Sequence, residues 1–181
     1  MKATGIVRRI DDLGRVVIPK EIRRTMRIRE GDPLEIYTDR DGEVIFKKYS
    51  PIGELNGFAS EYAETLYKTA GMPIFVCDRD AVIAVSGASK REYMDRKISK
   101  ALEEIIESRV LYTRGAGKET IPLTDDGAHY VSSAMPIISD GDITGAVIAA
   151  WQYDLITDNK ISDEVESKLI QTAGMFLGKQ I

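Results

Sequence analysis

The sequence predicts an α+β fold in two parts. Short alternating runs of hydrophobic residues fill the first fifty positions, with one short helical segment between them. Longer apolar runs and amphipathic helical patterns begin near residue 54 and continue to the end. The charge balance also changes sign between the two parts. We therefore expect a small β-rich N-terminal unit, followed by an antiparallel sheet with flanking helices.

The N-terminal part combines two pairs of short strands with a two-turn helix. Asp11, Asp12 and Gly14 favour a turn between the first two strands. Pro19 suits the start of the helix, and an Asp-Gly pair at 41–42 favours a hairpin loop between the last two strands. The predicted elements are strands over 5–10 and 15–18, a helix over 20–27, and strands over 34–37 and 43–47.

A fifty-residue unit of short strands rarely buries enough apolar surface to be stable alone. Dimerisation with shared sheets would supply the missing core. We therefore expect this unit to fold as an obligate dimer.

The second part begins after a Ser-Pro-Ile-Gly boundary at 50–53. Apolar residues spaced three and four apart predict a helix over 54–70 that connects the two parts. Further on, the patterns predict strands over 73–77, 81–85, 119–123, 128–138 and 144–153, helices over 92–108 and 160–180, and a loop over 109–118. The expected domains are 1–50, a linker helix over 51–71, and 72–181.

Charge is distributed unevenly along the chain, although the net charge is only −4. Residues 1–29 hold nine basic and three acidic side chains, so the other 152 residues carry ten net negative charges. A basic module joined to an acidic body is typical of nucleic-acid binding. The alternative is a solvated charged face of a small sheet domain.

One segment of the basic module identifies a family. Residues 13–23 read Leu-Gly-Arg-Val-Val-Ile-Pro-Lys-Glu-Ile-Arg, and the stretch over 1–24 resembles the AbrB-type transition-state regulators of spore-forming bacteria. The complete chain resembles members that join an AbrB-like swapped-hairpin domain to a C-terminal GAF domain. Short phrases such as Cys-Asp-Arg-Asp at 77–80 and Ala-Val-Ser-Gly at 84–87 carry the second likeness.

The resemblance implies an N-terminal β-barrel-like dimer of interleaved hairpins, a GAF-like second domain, and regulation of sporulation genes by activation or repression. It implies double-stranded DNA as a partner. The residues expected to face DNA are Arg8, Arg15, Arg23 and Arg24, with Arg9 and Lys20 beside them. Arginine suits this role because its planar fork of donors matches phosphate oxygens and guanine edges.

The second domain is expected to sense a small-molecule effector or to assemble the protein, with a pocket formed by 75–87, 92–108 and 130–150. No cofactor or metal is expected. Cys77 lies in an apolar strand as a structural thiol, and His129 is expected at the surface or as a capping residue. An incomplete phosphate-loop pattern at 114–118 favours a loop, and Trp151 and Tyr153 favour core or interface packing over a ligand platform.

Two other functions compete with transcription regulation. The swapped-hairpin fold also occurs in antitoxins of toxin–antitoxin pairs, although those usually carry a disordered toxin-binding tail. An enzyme is not expected, because the sequence shows no nucleophile–base set, metal cluster or complete phosphate loop. The lack of an export signal and the single cysteine indicate a cytoplasmic protein without a membrane partner. Apolar stripes on the helices over 54–70 and 160–180 leave two interpretations open, core packing in one subunit or pairing into a homotetramer.

Overall fold

The structure is a computed structural model that describes residues 4–115, 119–153 and 161–181. The chain divides into two compact units, Met1–Tyr49 and Ser50–Ile181. Three parts of the sequence predictions lie outside the described residues: Lys2 of the basic segment, positions 116–118 of the 114–118 stretch, and the residue expected to begin the last helix.

A hairpin forms the only sheet of the first unit among its described residues. Strands β1 (Leu34–Thr38) and β2 (Val44–Lys48) pair antiparallel. In the turn, the Asp39 carboxylate accepts a hydrogen bond from the Asp41 N–H at 3.0 Å. Gly42 follows with a φ of 81°, which residues with a Cβ rarely adopt. The hairpin predicted from the Asp-Gly pair is confirmed.

The short helix α1 spans Lys20–Met26 and begins directly after Pro19, close to its predicted bounds. The missing N–H of proline costs no hydrogen bond at a helix start. At the other end Arg27 takes a left-handed φ of 52°, and the Ile28 N–H donates to the Arg23 carbonyl at 2.8 Å. The left-handed conformation costs a residue with a Cβ about 1 to 2 kcal/mol, so other contacts must hold this helix end.

Lys48 ties the end of α1 to the hairpin. Its ammonium group donates to the Arg27 carbonyl oxygen at 3.0 Å and lies 3.7 Å from a carboxylate oxygen of Asp32. The Asp32 side chain is only 3% exposed and also accepts from the Arg29 N–H at 2.8 Å. A buried carboxylate requires such partners, because water no longer solvates it. Together these contacts fix α1 relative to β2.

Two predicted strands, over 5–10 and 15–18, are wrong for the single chain, since neither segment is in a strand. The Asp11 N–H donates to the Arg15 carbonyl at 3.1 Å, but no ladder continues from it in the described part. A strand exists only where a neighbour pairs with its backbone groups. Apolar side chains on these segments consequently remain in solvent, with Val7 at 88% and Val17 at 71% exposure.

The second unit is built on a five-stranded antiparallel sheet. Asp140 and Gly141, with φ of 49° and 88°, close the long hairpin of the last two strands. Two consecutive positive φ values match the twist of a tight hairpin. The strands are β3 (Ile74–Asp78), β4 (Val82–Ser86), β5 (Tyr112–Thr113), β6 (Tyr130–Ser139) and β7 (Asp142–Trp151). Their order across the sheet is β4-β3-β7-β6-β5.

Helices cover both faces of this sheet, because successive strand residues point to opposite sides. Ile74 and Val76 share one buried cluster with residues of the helices over 56–70 and 163–178, whereas Phe75 and Cys77 share another with residues of the helices over 90–93 and 100–107. The predicted antiparallel sheet with flanking helices is confirmed. The helices of the unit are α2 (Pro51–Glu54), α3 (Asn56–Ala70), α4 (Lys90–Tyr93), α5 (Lys100–Glu107) and α6 (Asp163–Gly178).

Helix α3 lies within the linker helix predicted over 51–71 and packs on the sheet of the second unit. It buries Ala59, Ala63 and Leu66 in the cluster that it shares with β3 and β4. Small residues four apart allow a helix to lie close to a sheet, so α3 belongs to the core of the second unit.

The single helix predicted over 92–108 is divided into α4 and α5. The first helix ends at Tyr93, because Met94 is extended with a ψ of 135°, and Asp95 follows with a positive φ of 60°. Ser99 then starts the second, since its hydroxyl accepts from the Leu102 N–H at 3.1 Å. The strand predicted over 119–123 is reduced to one bridge between Pro122 and Tyr130, in which the Leu123 N–H donates to the His129 carbonyl and the Val131 N–H to the Ile121 carbonyl.

A pair of glycine substitutions tests the packing of the sheet. A Cβ on Gly145 of β7 would overlap the Cys77 carbonyl oxygen, whereas a Cβ on Gly57 of α3 meets no atom within 4 Å. We expect Gly145→Ala to lower the free energy of unfolding by about 2 kcal/mol or more, since backbone cannot easily move aside. Gly57→Ala should raise it by up to about 1 kcal/mol. Urea denaturation of both variants measures these changes, and equal stabilities would contradict this packing.

Candidate functional site

All six residues predicted to contact DNA are exposed in the structure. They occupy three places in the first unit: the segment before the turn at 11–14, the residue that follows this turn, and helix α1. The six are Arg8, Arg9, Arg15, Lys20, Arg23 and Arg24.

Arg15 is held by Asp11, four residues earlier. One carboxylate oxygen of Asp11 accepts from the backbone N–H groups of Leu13 and Arg15, at 3.0 and 2.8 Å. The other oxygen accepts from the Arg15 Nε–H at 2.8 Å. The Arg15 N–H and then its guanidinium are the main causes that lower the pKa of Asp11 below its ordinary value. Asp11 is therefore charged at neutral pH, and the turn and the arginine form one unit.

Lys20, Arg23 and Arg24 lie three and four residues apart on α1, and this spacing brings side chains together on one helix face. Arg23 and Arg24 occupy the last turn, where cations also interact favourably with the helix dipole. Arg8 and Arg9 make no side-chain hydrogen bond or ion pair with described residues. The structure thus brings three of the six basic residues together on α1, and Asp11 holds a fourth, Arg15, at the end of the turn.

Arg27 and Arg29 differ from these six because both are half-buried. They belong to the turn after α1, which Lys48 and Asp32 hold in place. Sequence reasoning missed the supporting roles of Asp11 and Lys48. The Asp-x-x-x-Arg spacing of the turn was visible, whereas the role of Lys48 depends on where α1 ends.

The second unit has a surface cleft of about 420 Å³. It differs from the predicted pocket, because core residues such as Phe75, Val85 and Ile148 fill the space beside the strands. The cleft is mostly charged and is lined by residues 92–97 of the α4–α5 region and by the loop before β6. The lining residues are Glu92, Asp95, Arg96, Lys97, Thr124, Asp125, Asp126 and Gly127.

His129 was expected at the surface or as a capping residue, and that prediction is wrong. Its side chain is buried, and its Nδ1 lies 2.8 Å from the Tyr93 hydroxyl, which also accepts from the Ala128 N–H at 3.0 Å. The His129 ring packs edge-on against Phe75 and Tyr93, with centroids 5.4 and 5.1 Å apart. A single polar residue before a strand gave no sequence signal for this burial.

Burial lowers the pKa of His129 from its ordinary value, although the carboxylate of Glu92 opposes the shift. The His129 Nε2 atom is buried and has no hydrogen-bond partner among the described residues. The imidazole is therefore neutral in the folded protein at neutral pH.

Other residues noted in the sequence have structural roles. Cys77 is buried as predicted, and burial raises the pKa of its thiol. Trp151 contacts Tyr130 and Tyr153 with ring centroids 5.3 and 4.6 Å apart, and the Arg114 guanidinium lies 4.1 Å above its ring. No group of side chains in the described ranges could hold a metal ion. No described helix is long and apolar enough to cross a membrane.

Comparison with known proteins agrees with this two-unit architecture. A family model described as stage V sporulation protein T C-terminal, transcription factor, matches residues 54–181. A second model, antidote-toxin recognition MazE, bacterial antitoxin, matches residues 7–53.

Two curated relatives come from Bacillus subtilis (strain 168). Stage V sporulation protein T is 51% identical over 183 residues, covering 100% of this chain and 99% of the relative. Transition state regulatory protein AbrB is 65% identical over 51 residues, covering 28% of this chain and 52% of the relative. Among solved structures, the A. aeolicus nlh2 GAF domain has a TM-score of 0.50 at 15% identity, covering 74% of this chain and 85% of that one, which shows the GAF fold.

Fold and sequence together define a two-domain transcription regulator with an AbrB-type N-terminal domain and a GAF-like C-terminal domain. The chain belongs to the stage V sporulation protein T family. Because the likeness extends over the whole chain, it favours this function over the alternative of an antitoxin, which rests on residues 7–53.

The pH dependence of stability tests the buried histidine. The fold holds His129 neutral, whereas the unfolded chain binds a proton below its ordinary pKa near 6.5. Lowering the pH from about 7.5 to about 5.5 should therefore destabilise the wild type through His129, and His129→Gln should remove this contribution. Thermal melts of both proteins across this pH range measure how steeply the melting temperature falls with pH, and these slopes are compared rather than the absolute stabilities. A variant whose melting temperature falls as steeply as that of the wild type would contradict the assignment.

Proposed function

We propose that the first unit binds double-stranded DNA as an intertwined homodimer and that this binding regulates transcription of sporulation genes. The exposure of all six predicted basic side chains carries the proposal. The relative AbrB, at 65% identity over this region, is a transition-state regulatory protein, which supports it. Residues 1–50 form the DNA-binding domain and 72–181 the effector-sensing or assembly domain of a protein that acts in the cytoplasm. The segment over 51–71 connects them, and its helix α3 packs on the second unit.

Dimerisation is proposed because the single chain leaves its N-terminal apolar residues uncovered. Val7, Ile10, Leu13 and Val17 are each at least 69% exposed. All buried hydrophobic residues of the described chain lie at Ile52 or beyond. A second copy that pairs its own 5–18 segment with this one would complete the missing strands and remove this surface from water.

The chemistry of the basic residues suits a duplex. Helix α1 has only seven residues, so it offers few positions from which to read base edges. Arginines on a turn and a short helix suit phosphate contacts and grooves of a particular width. Affinity should therefore decrease steeply with salt concentration, because binding releases counterions from DNA and this release becomes less favourable as the salt concentration rises.

We also propose that the second units associate through the outer faces of α3 and α6, giving a tetramer. The rings of Tyr62 and Phe176 stack at 5.4 Å, and Phe58 lies 5.9 Å from Phe176. Val165 on the same helix as Phe176 is 48% exposed. A second copy fits this apolar face because two identical helix pairs can form a four-helix bundle.

An unknown small-molecule effector is proposed for the second unit, with the cleft beside α4 as its binding site. The lining offers four carboxylates and two cations, which suits a polar molecule with both donors and acceptors. Such a ligand would bind next to the Tyr93–His129 pair, since Glu92 and Gly127 of the lining neighbour these two residues.

Three single substitutions test the DNA interface. We expect each of Arg8→Ala, Arg15→Ala and Arg23→Ala to weaken duplex binding about tenfold. Each should also reduce the slope of log affinity against log salt concentration by about one per subunit, because each removes one phosphate contact. Fluorescence anisotropy at fixed salt measures the affinity.

Arg91→Ala is the matched control, because Arg91 is an exposed arginine of α4 in the second unit. It removes the same charge, and its affinity should equal that of the wild type. Unchanged binding by all three test variants, with melting temperatures intact, would rule out this interface.

A separate pair of substitutions tests the helix face. Phe176→Asp places a charge among the aromatic rings and should convert a tetramer into a dimer, because desolvating a carboxylate there is costly. Gln171→Asp adds the same charge at an exposed polar position of α6 and should leave the mass unchanged. Light scattering coupled to size exclusion measures both, and a tetramer of unaltered mass in Phe176→Asp would exclude this face.

A further inference from the structure

We propose that Asp11 is a positioning residue for DNA binding, which acts by orienting the guanidinium of Arg15. This inference rests on the proposed function of the first unit. It assigns a favourable role to a carboxylate within a surface on which basic side chains predominate.

The geometry joins the two residues at several points. The two carboxylate oxygens of Asp11 each accept a hydrogen bond from Arg15, one from its backbone N–H at 2.8 Å and the other from its Nε–H at 2.8 Å. Its own N–H donates to the Arg15 carbonyl at 3.1 Å, and its carbonyl accepts from the Gly14 N–H at 3.1 Å. The carboxylate thus fixes both the turn and the direction in which the arginine side chain leaves it.

The remaining donors of Arg15 are available for a ligand. Asp11 engages the Nε–H, so the two terminal amino groups of the guanidinium can form a fork toward phosphate or a guanine edge. The Arg15 side chain is 69% exposed while it makes this ion pair. Holding a long side chain in one direction before binding reduces the entropy lost when DNA binds.

Electrostatics alone predicts the opposite role for Asp11. A carboxylate near the phosphates repels them, so its removal should tighten binding by a Coulomb effect. Under the orienting role, removal should weaken binding. The orienting role and the Coulomb effect therefore predict changes in affinity of opposite sign.

Asp12 provides a matched control at the next position. It is also exposed, and it makes no side-chain hydrogen bond or ion pair among the described residues. Asp12→Asn removes the same charge from nearly the same place without releasing an arginine. Its effect on affinity isolates the Coulomb contribution.

The experiment uses the full-length chain and a fluorescent duplex selected by the wild type from a random-sequence pool. Asp11→Asn should weaken binding about three- to fivefold, the size expected for an exposed ion pair, whereas Asp12→Asn should bind equally or more tightly. In an Arg15→Ala background, Asp11→Asn should have no further weakening effect. Tighter binding by Asp11→Asn, or an equal loss in both backgrounds, overturns the inference.

Two further measurements distinguish a failure of the orienting role from a failure of DNA binding or of folding. If the wild type binds no duplex, the proposed function itself fails, and the inference fails with it. Asparagine retains an oxygen that can accept hydrogen bonds from the turn N–H groups, and thermal melts check that the variant folds.

In the DNA-free wild type, the Arg15 Nε–H resonance should exchange slowly with water. Fast exchange there overturns the inference whatever the variant does.

Discussion

The rest of this protein depends on one constraint, which is that the exposed apolar side chains of the first unit must be removed from water. In a single chain these residues remain in water, and the segments over 5–10 and 15–18 lack strand partners. The hydrophobic effect favours any arrangement that removes this surface from solvent, at roughly 25 cal/mol per Å². A second copy is the proposed solution. The basic surface would then be a product of assembly, because the same segments carry Arg8, Arg9 and Arg15.

Polar contacts supply part of the order that a hydrophobic core gives elsewhere. Lys48 and Asp32 hold the end of α1, and Asp11 holds the turn before Arg15. In the second unit, by contrast, two buried clusters on opposite faces of the sheet provide the order. A rigid second unit joined to a first unit held by few internal contacts suits a regulator whose DNA-binding part completes its fold only on association.

Sequence reasoning predicted features that neighbouring residues determine. The Asp-Gly hairpin, helix α1 and the main strands of the sheet are confirmed, since turn chemistry and periodicity are local. The sequence-based predictions were wrong where the local structure depends on residues that are distant in the sequence. The strands over 5–10 and 15–18 need a partner, and the division of the 92–108 helix depends on Asp95 and on Ser99, whose hydroxyl also donates to the Pro122 carbonyl. The burial of His129 depends on Tyr93, thirty-six positions earlier. The DNA contacts of the six basic residues stay a prediction, although their exposure agrees with it.

The buried thiol of Cys77 has a practical and a chemical consequence. It is the sole cysteine of the chain, it has no accessible surface, and its raised pKa keeps it protonated. Peroxides and maleimides react with thiolates, so the native fold shields this sulfur from both reagents. Redox conditions outside the sheet therefore leave it reduced. A single new cysteine on the surface could then carry a spectroscopic label without competition from the natural one.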